Sequence, residues 1–130
     1  MPAKDGDVYT LVLGSSGTTF QVECVVSPKA LAQGLSGRQP LEAGTGMLFI
    51  FQSLAKQSMW MPDMRFALDI VWLDETLSVS HITRGAPPCP TRKDCPSYSS
   101  IFSAKYAIEM REGDAKAYGF TEGMPLKVLL

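Results

Sequence analysis

Long apolar runs are missing from this 130-residue sequence. No stretch approaches the ~18 consecutive apolar residues that a membrane-spanning helix needs. An excess of one charge is missing too. Lys and Arg number 12 against 13 Asp and Glu, for a formal charge of -1, whereas a dedicated binder of nucleic-acid phosphates presents a concentrated basic surface. Histidine is nearly absent, His81 standing alone. With no second histidine and no Cys-x-x-Cys pair, a structural zinc site is not expected, and no cofactor is implied. Gly-x-Ser-x-Gly and Gly-x-x-x-x-Gly-Lys-[Ser/Thr] do not occur, which removes the nucleophile elbow and the phosphate-cradling loop. The opening residues, Met1 to Asp7, lack the basic and apolar regions of a secretory leader. Either the protein stays in the cytoplasm or a leader has been removed.

What is present is enough for one domain spanning 1–130, since 45% of residues are hydrophobic and only 19% charged. Val8 to Leu13 and Thr18 to Val26 read as a hairpin around Gly14 to Gly17. In its second strand Phe20, Val22 and Cys24 alternate with Gln21 and Glu23, so one face is buried. Ser27-Pro28 then opens a short helix near residues 28–36, with Gly37 as its stop. Gly34 inside that helix costs ~1 kcal/mol relative to alanine, which a close approach of another backbone would explain. Gly46 to Phe51 is apolar on both faces and predicts a covered strand. Gln57 to Met61 predicts a short extended piece, Phe66 to Leu73 a central strand and Leu77 to Arg84 its return. Gly85 to Ser100 reads as a Pro-rich loop, Lys105 to Arg111 as a strand, Asp114 to Tyr118 as a helical turn and Leu126 to Leu130 as a final strand. The expected fold is mostly β (α+β): a small antiparallel barrel or sandwich with one short helix. A doubly wound fold needs more crossover helices than the pattern supplies.

Four features carry candidate chemistry. Met59 and Met61 flank Trp60, and two thioethers on one face of an extended segment suit Cu(I); the plainer reading is that they fill an irregular core. Cys24 reads as a buried apolar side chain. Cys89 and Cys95 bracket a rigid Pro-rich loop and are placed for a local disulfide worth ~2 kcal/mol, which would favour an exported, extracytoplasmic address over a cytoplasmic one. Asp69 lies on an apolar strand face and must find donors, in a structural or a catalytic role. A turn at Asp74 to Thr76, with Leu73 opposite Leu77 and Val71 opposite Val79, would set Asp69 opposite His81 within hydrogen-bonding reach.

In order along the chain, Gln33-Gly34-Leu35-Ser36, Gly46 to Phe51, Met59-Trp60-Met61-Pro62-Asp63-Met64, Leu68 to Asp74, the cysteine loop and Ala107-Ile108-Glu109 resemble the bacterial and archaeal family known as domain of unknown function 192. The sequence departs from it in Asp74-Glu75-Thr76, where an Asp-Gly type turn is common, and in Ala67, where proline is frequent. The resemblance implies a compact β-rich barrel with a short helix, exported or lipid-anchored in many cases, and no particular reaction. It makes Trp60, Met61, Asp63, Asp69 and Glu109 candidates for one shared cleft.

With no nucleophile–base pair in view, the expected function is a non-catalytic module binding a small ligand, such as a carbohydrate, on a platform made by Trp60. The alternatives are a hydrolase-type enzyme using Asp63, Asp69 and Glu109, with Asp69, His81 and Glu109 as catalytic candidates, and copper binding through the methionines. For a carboxylate mechanism the pair must converge to about 5–10 Å. Oligomeric state is not set by the sequence. If Cys89 and Cys95 are joined, thiol titration in denaturant without reductant counts one thiol, Cys24; a count of three refutes the bridge.

Overall fold

A computed structural model describes residues 2–60, 62–89 and 93–129. Seven strands and two short helices follow in the order β1 (Val8–Leu13), β2 (Thr18–Val25), α1 (Pro28–Gln33), β3 (Thr45–Trp60), β4 (Leu68–Leu73), β5 (Val79–Ala86), β6 (Ser97–Arg111), α2 (Asp114–Ala117) and β7 (Leu126–Leu129). The strands form one sheet in the order β5-β4-β6-β3-β2-β1-β7. Every adjacent pair is antiparallel except β2 and β3, which run parallel. The chain is therefore mostly β with short helices, as expected, but the sheet is not closed into a barrel. Its outer strands approach only at one corner, where Ser78 bridges Pro125 and the Val79 amide donates to the Met124 carbonyl at 2.8 Å.

Alternation along the central strands sorts the core onto the two sheet faces. Leu48 of β3, Val71 and Leu73 of β4, and Ile108 and Met110 of β6 join Leu11, Phe20 and Leu126 in one cluster. Because that cluster draws on strands from both ends of the sheet order, the sheet curls around it. Met47 and Phe49, Leu68, Ile70 and Trp72, and Ala104 and Ala107 form a second cluster on the other face. All six residues of β4 are buried, as a strand apolar on both faces apart from Asp69 implies. Cys24 is a free, buried thiol within the first cluster, and burial pushes its pKa up to about 11.

Several boundaries differ from the sequence expectation. Gly46 to Phe51 and Gln57 to Trp60 belong to one strand, β3, whose pairing with β6 continues through register shifts after Ile50 and Lys56. The polar residues between them look like loop, yet ladder pairing carries the strand across. Met61, the end of the second piece, lies outside the described residues, as does Leu130 after β7. For the same reason β6 starts at Ser97 and shortens the Pro-rich loop. Helix α1 ends at Gln33 rather than near Gly37, because Gly34 takes φ +49° and caps it. Cys89 and Cys95 are disulfide-bonded with Cα atoms 5.9 Å apart, within the ordinary range.

The β4–β5 register is the main correction. Leu73 pairs with Val79 and Trp72 with His81, so Asp69 does not face His81. The loop sits one residue later than the sequence suggested. Asp74 donates its amide to the Ser78 carbonyl at 3.0 Å, and its Oδ1 accepts from the Thr76 and Ser78 amides. Leu77 takes φ +63°, a conformation that side chains other than Asn, Asp or Gly rarely adopt, and packs against the first cluster. Further register shifts lie between Trp72 and Leu73 and between Leu68 and Ile70.

Asp69 instead joins three segments. It is buried on β4; its Oδ1 accepts from the Gly85 amide of β5 at 2.9 Å, and its Oδ2 from the Gly113 and Ala115 amides at 3.0 and 3.1 Å. The side chain thus takes up amide donors at the start of α2, which otherwise lack intrahelical partners. Replacing it by alanine leaves three N–H groups unpaired, the buried one of Ala115 among them, at about 1–3 kcal/mol each where water cannot replace the carboxylate. The expected outcome for Asp69→Ala is a loss of ~3 kcal/mol or more in urea unfolding. A loss below ~0.5 kcal/mol, the scatter of ordinary surface substitutions, would show that the carboxylate is no staple.

Candidate functional site

Parallel neighbours cannot be joined by a tight turn, so the chain between β2 and β3 must cross a sheet face. Helix α1 is that crossing. Ser27 caps its start, its Oγ accepting from the Ala30 amide at 3.2 Å, and Pro28 occupies the first turn. Between α1 and the far half of β3 lies a cleft of about 460 Å³, a size suited to small molecules. Leu31, Gly34, Leu35 and Ser36 come from the crossing chain, and Phe49, Phe51, Gln57, Met59 and Trp60 from β3. Pro62 and Met64 continue the wall beyond β3, and Glu109 of β6 reaches it from below.

The mouth is tied together. The Ser36 hydroxyl donates to the Pro62 carbonyl at 2.7 Å, and the Gly37 amide to the Asp63 carbonyl at 3.3 Å. These bonds hold the exit of α1 against the segment after β3. Gly34 is required here for two reasons. Its φ is positive, and a Cβ would stand 3.0 Å from Cζ of Phe49 and 3.8 Å from Oε1 of Glu109. The close neighbours are therefore a ring and a carboxyl, not the backbone that the sequence suggested. Phe51 stacks between Phe49 and Trp72, at centroid distances of 6.5 and 6.4 Å. Trp72 is buried and donates its indole N–H to Thr83 at 3.1 Å.

Glu109 is the unusual member. Its cross-strand neighbours are Met47 and Ile70, and only 2% of the residue is exposed. No hydrogen bond or ion pair to its carboxyl is found among the described residues. Its oxygens are nevertheless not sealed in; they open on the cleft. Burial alone pushes its pKa up to about 8, so at neutral pH the group is mainly a neutral acid.

The structure distributes the other sequence candidates widely. Trp60 is 49% exposed at the rim of the cleft. Asp63 lies between two lining residues with φ +60° but does not itself line the cavity. Met61 falls outside the described residues. Asp69 is paired across the strands with Met110, and Ile70 with Glu109, so Asp69 and Glu109 stand on opposite sheet faces and cannot act across one bond. His81 sits on β5 with Nδ1 4.0 Å from the Glu122 carboxylate. Met59 and Met64 both line the cleft and are buried among apolar side chains. Among the described residues no group of His, Cys, Asp or Glu is arranged to hold a metal, and no helix is long and apolar enough to cross a membrane. Sequence reasoning missed the walls supplied by Gly34, Ser36, Phe51 and Gln57, and only the glycine's helical cost hinted at any of them.

Two solved structures share the fold. One is a Sinorhizobium meliloti protein provisionally described as a transcription regulator, at 24% identity, covering 97% of both chains with a TM-score of 0.83. The other is a protein of unknown function from Novosphingobium aromaticivorans, at 22% identity, covering 98% of this chain and 89% of that one with a TM-score of 0.83. At such identities the likeness concerns the fold alone. No curated protein matches the chain. One sequence family, described as "Uncharacterized ACR", matches residues 11–128.

The raised pKa sets a pH dependence for stability. Folded Glu109 holds its proton up to about pH 8, whereas an unfolded glutamate releases it near 4.5. Between these values the native state binds more protons than the unfolded one, so stability falls as pH rises, by up to ~1.4 kcal/mol per unit from this group. The contribution is flat below pH ~4.5 and above pH ~8. Unfolding free energies of Glu109→Gln across this range are expected to lack that slope; equal slopes in both proteins would show that the carboxyl ionises freely.

Proposed function

The chain belongs to the family known as domain of unknown function 192, and we propose that it is a non-catalytic module binding a small ligand in the cleft between α1 and β3. The observation that carries this reading is Glu109, a buried carboxyl without a partner among the described residues, at the base of an open cavity. A fold gains nothing from such a group. An unpaired polar side chain in an apolar setting costs several kcal/mol, and departures of this kind concentrate at functional sites. The segments that carry the family resemblance, around Gly34, Phe49, Trp60 and Glu109, are also those that meet at the cleft.

Trp60 at the rim supplies the aromatic platform. The apolar walls behind it favour a ligand with a substantial apolar body over a polyhydroxylated sugar. Acid–base catalysis has little support here, because among the described residues one ionisable side chain lines the cavity and Asp69 serves the opposite face. The Cys89–Cys95 bridge fits an oxidising, extracytoplasmic setting.

A fragment panel of neutral, cationic and anionic small molecules tests the reading by NMR. Hits are expected to shift the Trp60 indole and the amides of Gly34 and Ser36 together, and Trp60→Ala is expected to weaken them by about tenfold, as loss of an aromatic contact does. A broad panel without cleft-directed hits sinks the proposal.

A further inference from the structure

The polar groups around the cleft are unequal in what they have left to offer. Both amide hydrogens of Gln57 are committed, its Nε2 donating to the Ser53 and Ala104 carbonyls at 3.0 and 3.1 Å. The hydroxyl hydrogen of Ser36 is spent on Pro62. Their oxygens keep lone pairs for further bonds. The Glu109 carboxyl, once ionised, is an acceptor only.

Among the described residues the lining includes no Lys, Arg or His, so none of them offers an anionic ligand a countercharge. Among the described residues, the side chains packed directly against Glu109 carry no charge. Its cross-strand neighbours are Met47 and Ile70, the cap of α1 brings Gly34, and β3 brings Phe49 and Phe51. The charged residues nearest in the chain are Arg111, Glu112 and Lys105; Arg111 bonds to Asp114 at 3.0 Å, and the Lys105 ammonium donates to the Phe51 carbonyl at 2.5 Å. What remains is a carboxyl at the base of the cavity, which Phe49, Phe51 and Trp60 also line.

We infer that the cleft takes a small primary amine, its ammonium group donating to the Glu109 carboxylate and its apolar body lying against Phe49, Phe51 and Trp60. This rests on the reading of the cleft as a ligand site and specifies the ligand's charge and shape. Binding involves no covalent step. The ammonium requires the ionised carboxyl, so a proton leaves Glu109 for solvent as the amine enters. Below the pKa of the free site, apparent affinity is scaled by the ionised fraction and rises about tenfold per pH unit. Above it, affinity is level for as long as the amine stays protonated.

The probes are 2-phenylethylamine, its uncharged counterpart 2-phenylethanol, and phenylacetate, titrated into the wild-type chain and Glu109→Gln by calorimetry and NMR between pH 6 and 9. Rim and base are followed through the Trp60 indole and the Gly34 amide. The amine is expected to bind at the cleft with rising affinity up to about pH 8. At pH 6.5 two buffers of different ionisation enthalpy should report close to one proton released per amine bound. The alcohol is expected to bind at least tenfold more weakly at pH 8, and phenylacetate not at all. In Glu109→Gln, shown to be folded by its thermal melt, amine affinity should drop at least tenfold and lose its pH dependence.

If the alcohol or the carboxylate binds the cleft as tightly as the amine, or if Glu109→Gln leaves amine affinity unchanged, the amine inference is overturned while the cleft remains a ligand site. If none of the three moves the Trp60 and Gly34 signals, the inference is overturned as well. Whether the ligand-site reading then stands is decided by the broader fragment panel.

Discussion

One parallel pair in an otherwise antiparallel sheet governs the molecule's interesting half. Strands β2 and β3 lie side by side and point the same way, so the chain between them must travel back over the sheet. It does so as α1, started by Ser27 and Pro28 and ended by the positive φ of Gly34. Had β2 and β3 been antiparallel, a short turn would have joined them and that face would have lacked a cover. The crossing is too short to seal the whole face. The space it leaves against β3 is the cleft.

Two buried carboxylates on the central strands show how much neighbouring backbone decides. Asp69 of β4 faces the larger cluster, where three amides from β5 and the start of α2 converge on it. It is bonded on both oxygens and closes that end of the core. Glu109 of β6 points to the other face, where its neighbours are Met47, Ile70 and the ring of Phe49, and no amide turns toward it. The same chemical group is satisfied in one place and poised in the other. A paired carboxylate contributes to the fold; an unpaired one destabilises it until a donor arrives.

Much of the fold was legible. The alternation in Thr18 to Val25, the Ser27-Pro28 helix start, the apolar run from Ile70 to Leu73 and the turn chemistry near residue 74 each report a local cause with a local effect. The cysteine loop was also readable, because two cysteines in a short rigid loop have few other partners. The β4–β5 register was not. It turns on Leu77 adopting a left-handed conformation, which no leucine advertises, and on bulges that shift the pairing again. Counting rungs from an assumed turn therefore carried Asp69 to His81, where the protein has Trp72 against His81. Strand β3 was split for a related reason: its exposed middle reads as loop, and only the partner strand β6 holds it extended.

The sequence by itself determined the elements whose signals are short-ranged: strand alternation, helix cap and disulfide loop. It also supplied Trp60 and Glu109 as candidates, through resemblance and not through spacing. Tertiary structure alone decided which residues share a face and which of them face an opening. Gly34, Phe51, Trp60 and Glu109 come from separate stretches of chain, and their meeting depends on strand order, on the register between β3 and β6, and on where the crossing chain comes to rest. Those are outcomes of long-range packing, in which one residue of slip moves every side chain to the opposite face. No local pattern encodes that choice.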